Sequence, residues 1–120
     1  LSGLTNLQSL DLSANQITGI SFLSGLTNLQ YLGLTNNQIT DISFLSGLTN
    51  LQSLGLWNNQ ITDISFLLPL IELGKMHLSL EKYDRKGKIN LHNNPIQNPP
   101  LEIVEQGNEA VINYFKQIKE

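Results

Sequence analysis

The chain is built on one segment repeated head to tail. The pattern LxxLxxLxxLxLxxNxIxxIxF occupies residues 1–22, 23–44 and 45–66, a period of 22 residues with no slip. Seventeen of the 22 columns are identical in all three copies, so a fold must give the copies equivalent surroundings. One copy cannot bury its own leucines. Stacked copies can, around a single continuous core. In the second copy Tyr31-Leu32-Gly33-Leu34-Thr35 alternates, which predicts a short strand with Leu32 and Leu34 facing in. Leu26, Leu29, Ile39, Ile42 and Phe44 then supply the rest of the core from the returning half of the coil. Ser21-Phe22-Leu23-Ser24-Gly25-Leu26 is too short for a stable α-helix. With serine to cap it and glycine to break it, one turn of 3₁₀ helix is expected.

This spacing of leucine and asparagine resembles the short, 22-residue class of leucine-rich repeats, found in phosphatase regulatory subunits and bacterial internalins. The implied fold is α/β. It is a right-handed solenoid with a parallel sheet on the concave face, short 3₁₀ turns on the convex face and a helical C-terminal cap. The resemblance also implies a role for Asn15, Asn37 and Asn59, which end the strands at one column. Each lies inside the turn and bonds backbone groups of its own and the adjacent coil. The physical need is real, because buried N–H and C=O groups beyond the reach of the sheet must find partners. Asn36, one residue earlier, is expected to face solvent and to matter little.

After Phe66 the repeat breaks. Leu67-Leu68-Pro69-Leu70-Ile71-Glu72-Leu73-Gly74 replaces LSGLTNLQ. Proline is accepted in a first helical turn and glycine ends one, so a short helix over 68–73 is expected. The motif resumes at Ile89-Asn90-Leu91-His92-Asn93-Asn94-Pro95-Ile96, with Asn94 placed 35 residues after Asn59. Of the insert between, the first half alternates, and Asp84 to Gly87 carries turn chemistry. The expectation is a β-hairpin over 76–91 whose second arm, 88–91, takes the fourth place in the sheet. Asn98-Pro99-Pro100 reads as a capped helix start. Asn108 could cap a second helix with Val111, Ile112, Tyr114, Phe115 and Ile118 as its buried stripe. The organisation is therefore repeats over 1–96, with 1–22, 23–44 and 45–66 regular and 67–96 irregular, followed by a helical cap over 97–120.

Comparing the copies locates a candidate site. Of the five columns that vary, three are the strand positions that face away from the core: Ser9/Tyr31/Ser53, Asp11/Gly33/Gly55 and Ser13/Thr35/Trp57. The core is constant and the outer sheet face is not. A binding surface on a constant scaffold would vary in this way, and so would solvent positions drifting after duplication. Tyr31 and Trp57 favour the first reading, because large aromatics on one sheet face are more typical of contact surfaces. Lys88, Asn90 and His92 are expected in the same outward columns beside Trp57. The candidate protein-binding residues are Tyr31, Trp57, His92, Asp11, Thr35, Asn90 and Lys88.

Chemistry of other kinds finds no foothold in the sequence. His77 and His92 lack metal-ligand spacing, and neither Gly74-Lys75 nor Gly87-Lys88 is a phosphate loop. No nucleophile motif occurs, so neither an enzyme nor a cofactor is expected. Residues 1–66 hold Asp11, Asp41 and Asp63 and no lysine or arginine, so they carry the whole net charge of −3. Such a surface suits neither nucleic acid nor an anionic membrane. Cysteine is absent, which leans toward the cytoplasm.

The tail INLHNNPIQNPPLEIVEQGNEAVINYFKQIK, from Ile89 to Lys119, resembles the end of the repeat domain in bacterial Roco proteins, ahead of their Ras-like GTPase domain. That resemblance implies an interaction module whose partner is a neighbouring GTPase domain or a second subunit. The alternatives are a secreted internalin-like adhesion module and a structural spacer. Leu1 opens directly on a repeat with no cap. The chain is therefore expected to be a fragment of a longer array, with Leu4, Leu7, Leu10 and Leu12 on an edge that could self-associate.

Overall fold

The structure, a computed structural model, describes residues 7–14, 21–80 and 88–118. Its strands are β1 (Ser9–Asp11), β2 (Tyr31–Gly33), β3 (Ser53–Gly55), β4 (His77–Ser79) and β5 (Lys88–Asn90). They form one sheet in the order β1-β2-β3-β5-β4, and every neighbouring pair is parallel. The 22-residue period appears directly as strand register: Leu10 lies opposite Leu32, and Leu32 opposite Leu54. Leu32, Leu34, Leu54 and Leu56 are fully buried, as are Leu26, Leu29, Ile39, Ile42 and Phe44 on the returning side. Turns of 3₁₀ helix at Ser21–Gly25, Ser43–Gly47 and Ser65–Leu67 lie where the sequence predicts them. At the entrance of the second and third the acceptor is not a serine. Asp41 and Asp63 accept the N–H of Ser43 and Ser65, both at 2.9 Å. The Ser43 backbone and hydroxyl bonds hold the Asp41 carboxyl below its ordinary pKa, and Ser13 does the same for Asp11.

Two asparagine ladders stitch the coils along the turn edge. In the inner one, Asn59 Nδ2 donates to Leu34 O at 2.9 Å in the preceding coil and to Leu56 O at 3.0 Å in its own, while its Oδ1 accepts the Ile39 N–H. Asn94 repeats the arrangement one coil later, with Leu56 O, Leu91 O and the Ile61 N–H. Asn37 begins it with Leu12 O and Leu34 O. Asn15 lies outside the described residues. The outer ladder was not expected. Asn36, Asn58 and Asn93 take left-handed backbone angles at φ near 60°, where asparagine is tolerated better than most residues. Their amides link in series, Asn93 to Asn58 and Asn58 to Asn36. Asn36 is exposed, as expected, but it is not idle. Ala14 takes the same backbone angle, φ 63°, without an amide. Ala14→Asn is expected to relieve that strain and extend the outer ladder, raising stability by about 1 kcal/mol. A urea midpoint that fails to rise would contradict this.

The fourth coil corrects the hairpin. β4 runs parallel to β5, with His77 opposite Lys88 and Ser79 opposite Asn90. β5 does take the fourth place, beside β3, and β4 forms the sheet's outer edge. The asparagine ladder explains this order. Only the β5 segment carries the residue, Asn94, that can reach Leu56 O and Ile61 N, so only it can follow β3 in register. The turn chemistry of Asp84 to Gly87 lies outside the described residues. Helix α1 (Leu68–Glu72) fulfils the expectation for 68–73, with Pro69 in its first turn and Gly74 beyond its end at φ 74°.

The tail forms α2 (Leu101–Val104) and α3 (Asn108–Ile118); the two pack on each other, and α3 packs on α1 of the last coil. Three expectations fail here. Asn98 caps no helix: α2 begins after Pro100, and Asn98 instead bonds Asp63 and the Thr62 carbonyl, tying the tail to the third coil. Ile118 is 58% exposed, so the buried stripe of α3 is Val111 and Phe115, flanked by the partly buried Ile112 and Tyr114. Asn108 also does something else with its side chain. Its Oδ1 accepts the Leu78 N–H at 2.9 Å and its Nδ2 donates to Met76 O at 2.7 Å. One side-chain amide thus occupies the outer edge of β4 as a peptide group of a sixth parallel strand would.

Candidate protein-binding face

The sheet register places the outward side chains in columns. One column runs Asp11, Gly33, Gly55, Asn90, Ser79 across all five strands. A second runs Ser9, Tyr31, Ser53, and the β3–β5 register carries it on to Lys88 and His77. Beyond the strand ends, Ala14 N bonds Thr35 O, Asn36 N bonds Trp57 O and Asn58 N bonds His92 O. These bonds keep Ser13, Thr35, Trp57 and His92 in step as a third column.

The candidates form two groups on this face. Trp57 and His92 meet edge to face, with ring centroids 5.5 Å apart and planes at 71°. His92 is fixed from two sides: its N–H donates to Asn90 Oδ1 at 3.0 Å, and Nδ1 lies 2.9 Å from Leu80 O. That contact makes Nδ1 the protonated nitrogen of the neutral ring and leaves Nε2 to the surface. At the other end Tyr31 and Asp11 converge over Gly33. A Cβ on Gly33 would stand 2.8 Å from both Tyr31 Oη and Asp11 Oδ1, so the missing side chain is what lets these two groups lie there. Gly33, Ser53 and Gly55 are all buried and make a floor of small residues between the groups. Thr35 and Lys88 are half-buried, as are Tyr31, Trp57 and His92, and Asp11 is exposed.

Asn90 is a correction. It lies in the expected column, but it is only 1% exposed and is no free contact residue in this state. Its flanking neighbours on β3 and β4 are Gly55 and Ser79. The role of Gly33 as a seat for Tyr31 and Asp11 was also missed. Its signal was present in the sequence, as glycine replacing aspartate in the same column.

A groove of about 520 Å³ elsewhere on the surface competes for attention. It runs along the turn edge, walled by Asn37, Asn58, Asn59, Gln60, Asn93, Asn94 and Pro95. Asn37, Asn58, Asn59, Asn93 and Asn94 among these are occupied in the ladders. It also lacks the large half-exposed aromatics that dominate protein contacts, so the sheet face is the better candidate.

Trp57→Ala is expected to cost about 1–2 kcal/mol of folding stability, the loss of one edge-to-face contact and of half-buried area. A core aromatic would cost about 3–5 kcal/mol. Thermal unfolding decides between the two, and a loss of the larger size would move Trp57 into the core.

Among the described residues, no group of three or more His, Asp or Glu is placed to hold a metal ion. No helix among them is long and apolar enough to cross a membrane.

A parallel sheet of in-register leucine coils, sealed by an internal asparagine ladder, defines a leucine-rich repeat solenoid. The model of the family "Leucine Rich repeats (2 copies)" matches residues 5–47 and 27–69. The chain belongs to that family. No curated protein matches it. Among solved structures it is similar to internalin C2 of Listeria monocytogenes, at 41% identity and a TM-score of 0.66 over 85% of this chain and 40% of that one. It is also similar to an internalin, inlF, of the same organism, at 35% identity and a TM-score of 0.63 over 77% of this chain and 23% of that one. The chain thus spans less than half the length of either. Nothing in these comparisons supports the Roco resemblance of the tail.

Proposed function

We propose that this chain is a non-catalytic protein-binding module that holds its partner on the concave sheet face, with Trp57, His92 and Tyr31 as the main contacts. The observation that carries the reading is the Trp57–His92 pair. It projects from a sheet whose core is already filled by the inward leucines, and it leaves half-exposed aromatic area on the outer face. The similarity to internalins favours an adhesion setting over a GTPase-associated one, which has no observation of its own. In that setting the partner is a protein outside the cell that makes the chain.

The binding face can be tested without knowing the partner. Peptides are selected from a random displayed library against the chain, and their sites are mapped by chemical-shift changes. The expected result is that selected peptides shift Trp57, His92 and Tyr31. Binders that gather on the convex turns or along the Asn groove would overturn the reading, and a chain that selects no binder would support a spacer.

A further inference from the structure

Asn90 carries a polar group that the fold leaves unused. It is 1% exposed, and its Nδ2 is buried without a hydrogen-bond partner. Its Oδ1 is committed to the His92 N–H, so the amide cannot turn over to hide its donor. Ile89 and Leu91 on either side point into the core, which puts the Asn90 side chain on the concave side. Buried donors in folded proteins are nearly always paired, and an exception asks for a function.

Its surroundings say what kind of group would pair with it. Lys88 and His92 are its outward neighbours along β5, each ~7 Å away by strand rise. His77 lies opposite Lys88 in the sheet. Ser79, next to Asn90 on β4, also lines an open cleft with Leu78, Leu80 and Lys88 from the sheet and Val104 and Glu105 from α2. Glu105 is the carboxylate at the outer end of that cleft. Asp11 lies three strands from Asn90, roughly 14 Å at the usual spacing and beyond the screening length of physiological salt. Among the described residues, Lys88 is the charged neighbour on the same strand as the unpaired donor, and Glu105 lines the adjoining cleft with it.

We propose that Asn90 Nδ2 donates to a carboxylate of the bound partner, with Lys88 beside it supplying the charge, so that the concave face takes an acidic segment of a protein. The proposal rests on the concave-face reading above and narrows its partner. A carboxylate gives the donor a charge-assisted hydrogen bond, the strong kind, in a place shielded from bulk solvent. Access requires the side chains around Asn90 to shift on binding.

The test uses the ¹⁵N-labelled chain and two probes, an N-acetylated hexaglutamate peptide and a hexaglutamine control, followed through the Asn90 side-chain NH₂ and Trp57 indole resonances. Hexaglutamate is expected to shift the Asn90 NH₂ pair saturably and to bind at least about tenfold more tightly than hexaglutamine, with affinity falling as salt rises. Asn90→Asp, which keeps the acceptor for His92 N–H but replaces the donor with a charge, is expected to abolish that binding. Lys88→Gln is expected to weaken it about three- to tenfold. Should Asn90→Asp fail to fold, Lys88→Gln and the native Asn90 resonances carry the decision. A Trp57 shift without an Asn90 shift would leave the binding face standing and overturn this proposal. Equal binding of hexaglutamine would overturn it too, as would an Asn90 NH₂ pair that keeps a long-lived water in the presence of peptide. Silence of both resonances to both peptides would also overturn it.

Discussion

Asn59→Ala is expected to lower stability by roughly 2–4 kcal/mol, while Asn58→Ala, the adjacent residue, costs about 1 kcal/mol. The two asparagines differ in what they leave behind. Removing the Asn59 amide orphans the Ile39 N–H and strips Leu34 O and Leu56 O of one of their two amide donors, leaving them Asn37 and Asn94 alone. Each buried group left unpaired costs about 1–3 kcal/mol. Asn58 gives up two bonds at the surface, to Asn36 and from Asn93, and a left-handed angle that Ala14 already adopts in the first coil. Urea unfolding of the two variants, compared by midpoint at equal slope, measures the difference. Equal losses would show that the inner ladder does not hold the coils together.

Asn108→Ala is expected to cost about 2–4 kcal/mol and to turn a monomeric C-terminal edge into an adhesive one. The side chain pairs the outward Leu78 N–H of β4 and the Met76 C=O just before that strand, and belongs to the first residue of α3. Without it α3 loses its anchor to the sheet. The edge strand is then free to pair with a second copy. Light scattering over a concentration series reads the association, and an unfolding curve at low concentration reads the stability. The comparison is with the unsubstituted chain at the same concentrations. A variant no more associated and no less stable than the parent would show that Asn108 is incidental.

The repeat made most of the fold legible in advance. A period without slip dictates that Leu10, Leu32 and Leu54 lie side by side, and with them the sheet, the core and the 3₁₀ turns. Pro69 and Gly74 marked α1 for equally local reasons. The fourth coil was less legible, because alternation followed by turn residues reads the same for a hairpin arm as for a parallel strand. What decides between them is Asn94 reaching back to Leu56 and Asn108 reaching across to Leu78, contacts spanning about thirty residues or more. The same holds for the site. The phase of alternation located Trp57, Tyr31 and His92 on one face. It could not show that Tyr31 leans over Gly33, nor that Asn90 sinks out of solvent between Gly55 and Ser79, since both depend on what neighbouring strands lack.

The affinity of Trp57→Ala for a peptide selected against the parent chain bears most directly on the account. Binding energy at protein contacts concentrates on a few aromatic anchors, and Trp57 is the largest half-exposed side chain on this face. The expected result is a loss of about 2 kcal/mol or more, roughly thirtyfold in affinity, in a variant that remains folded. Unchanged affinity in a folded Trp57→Ala chain would contradict the claim that this protein binds through its concave face.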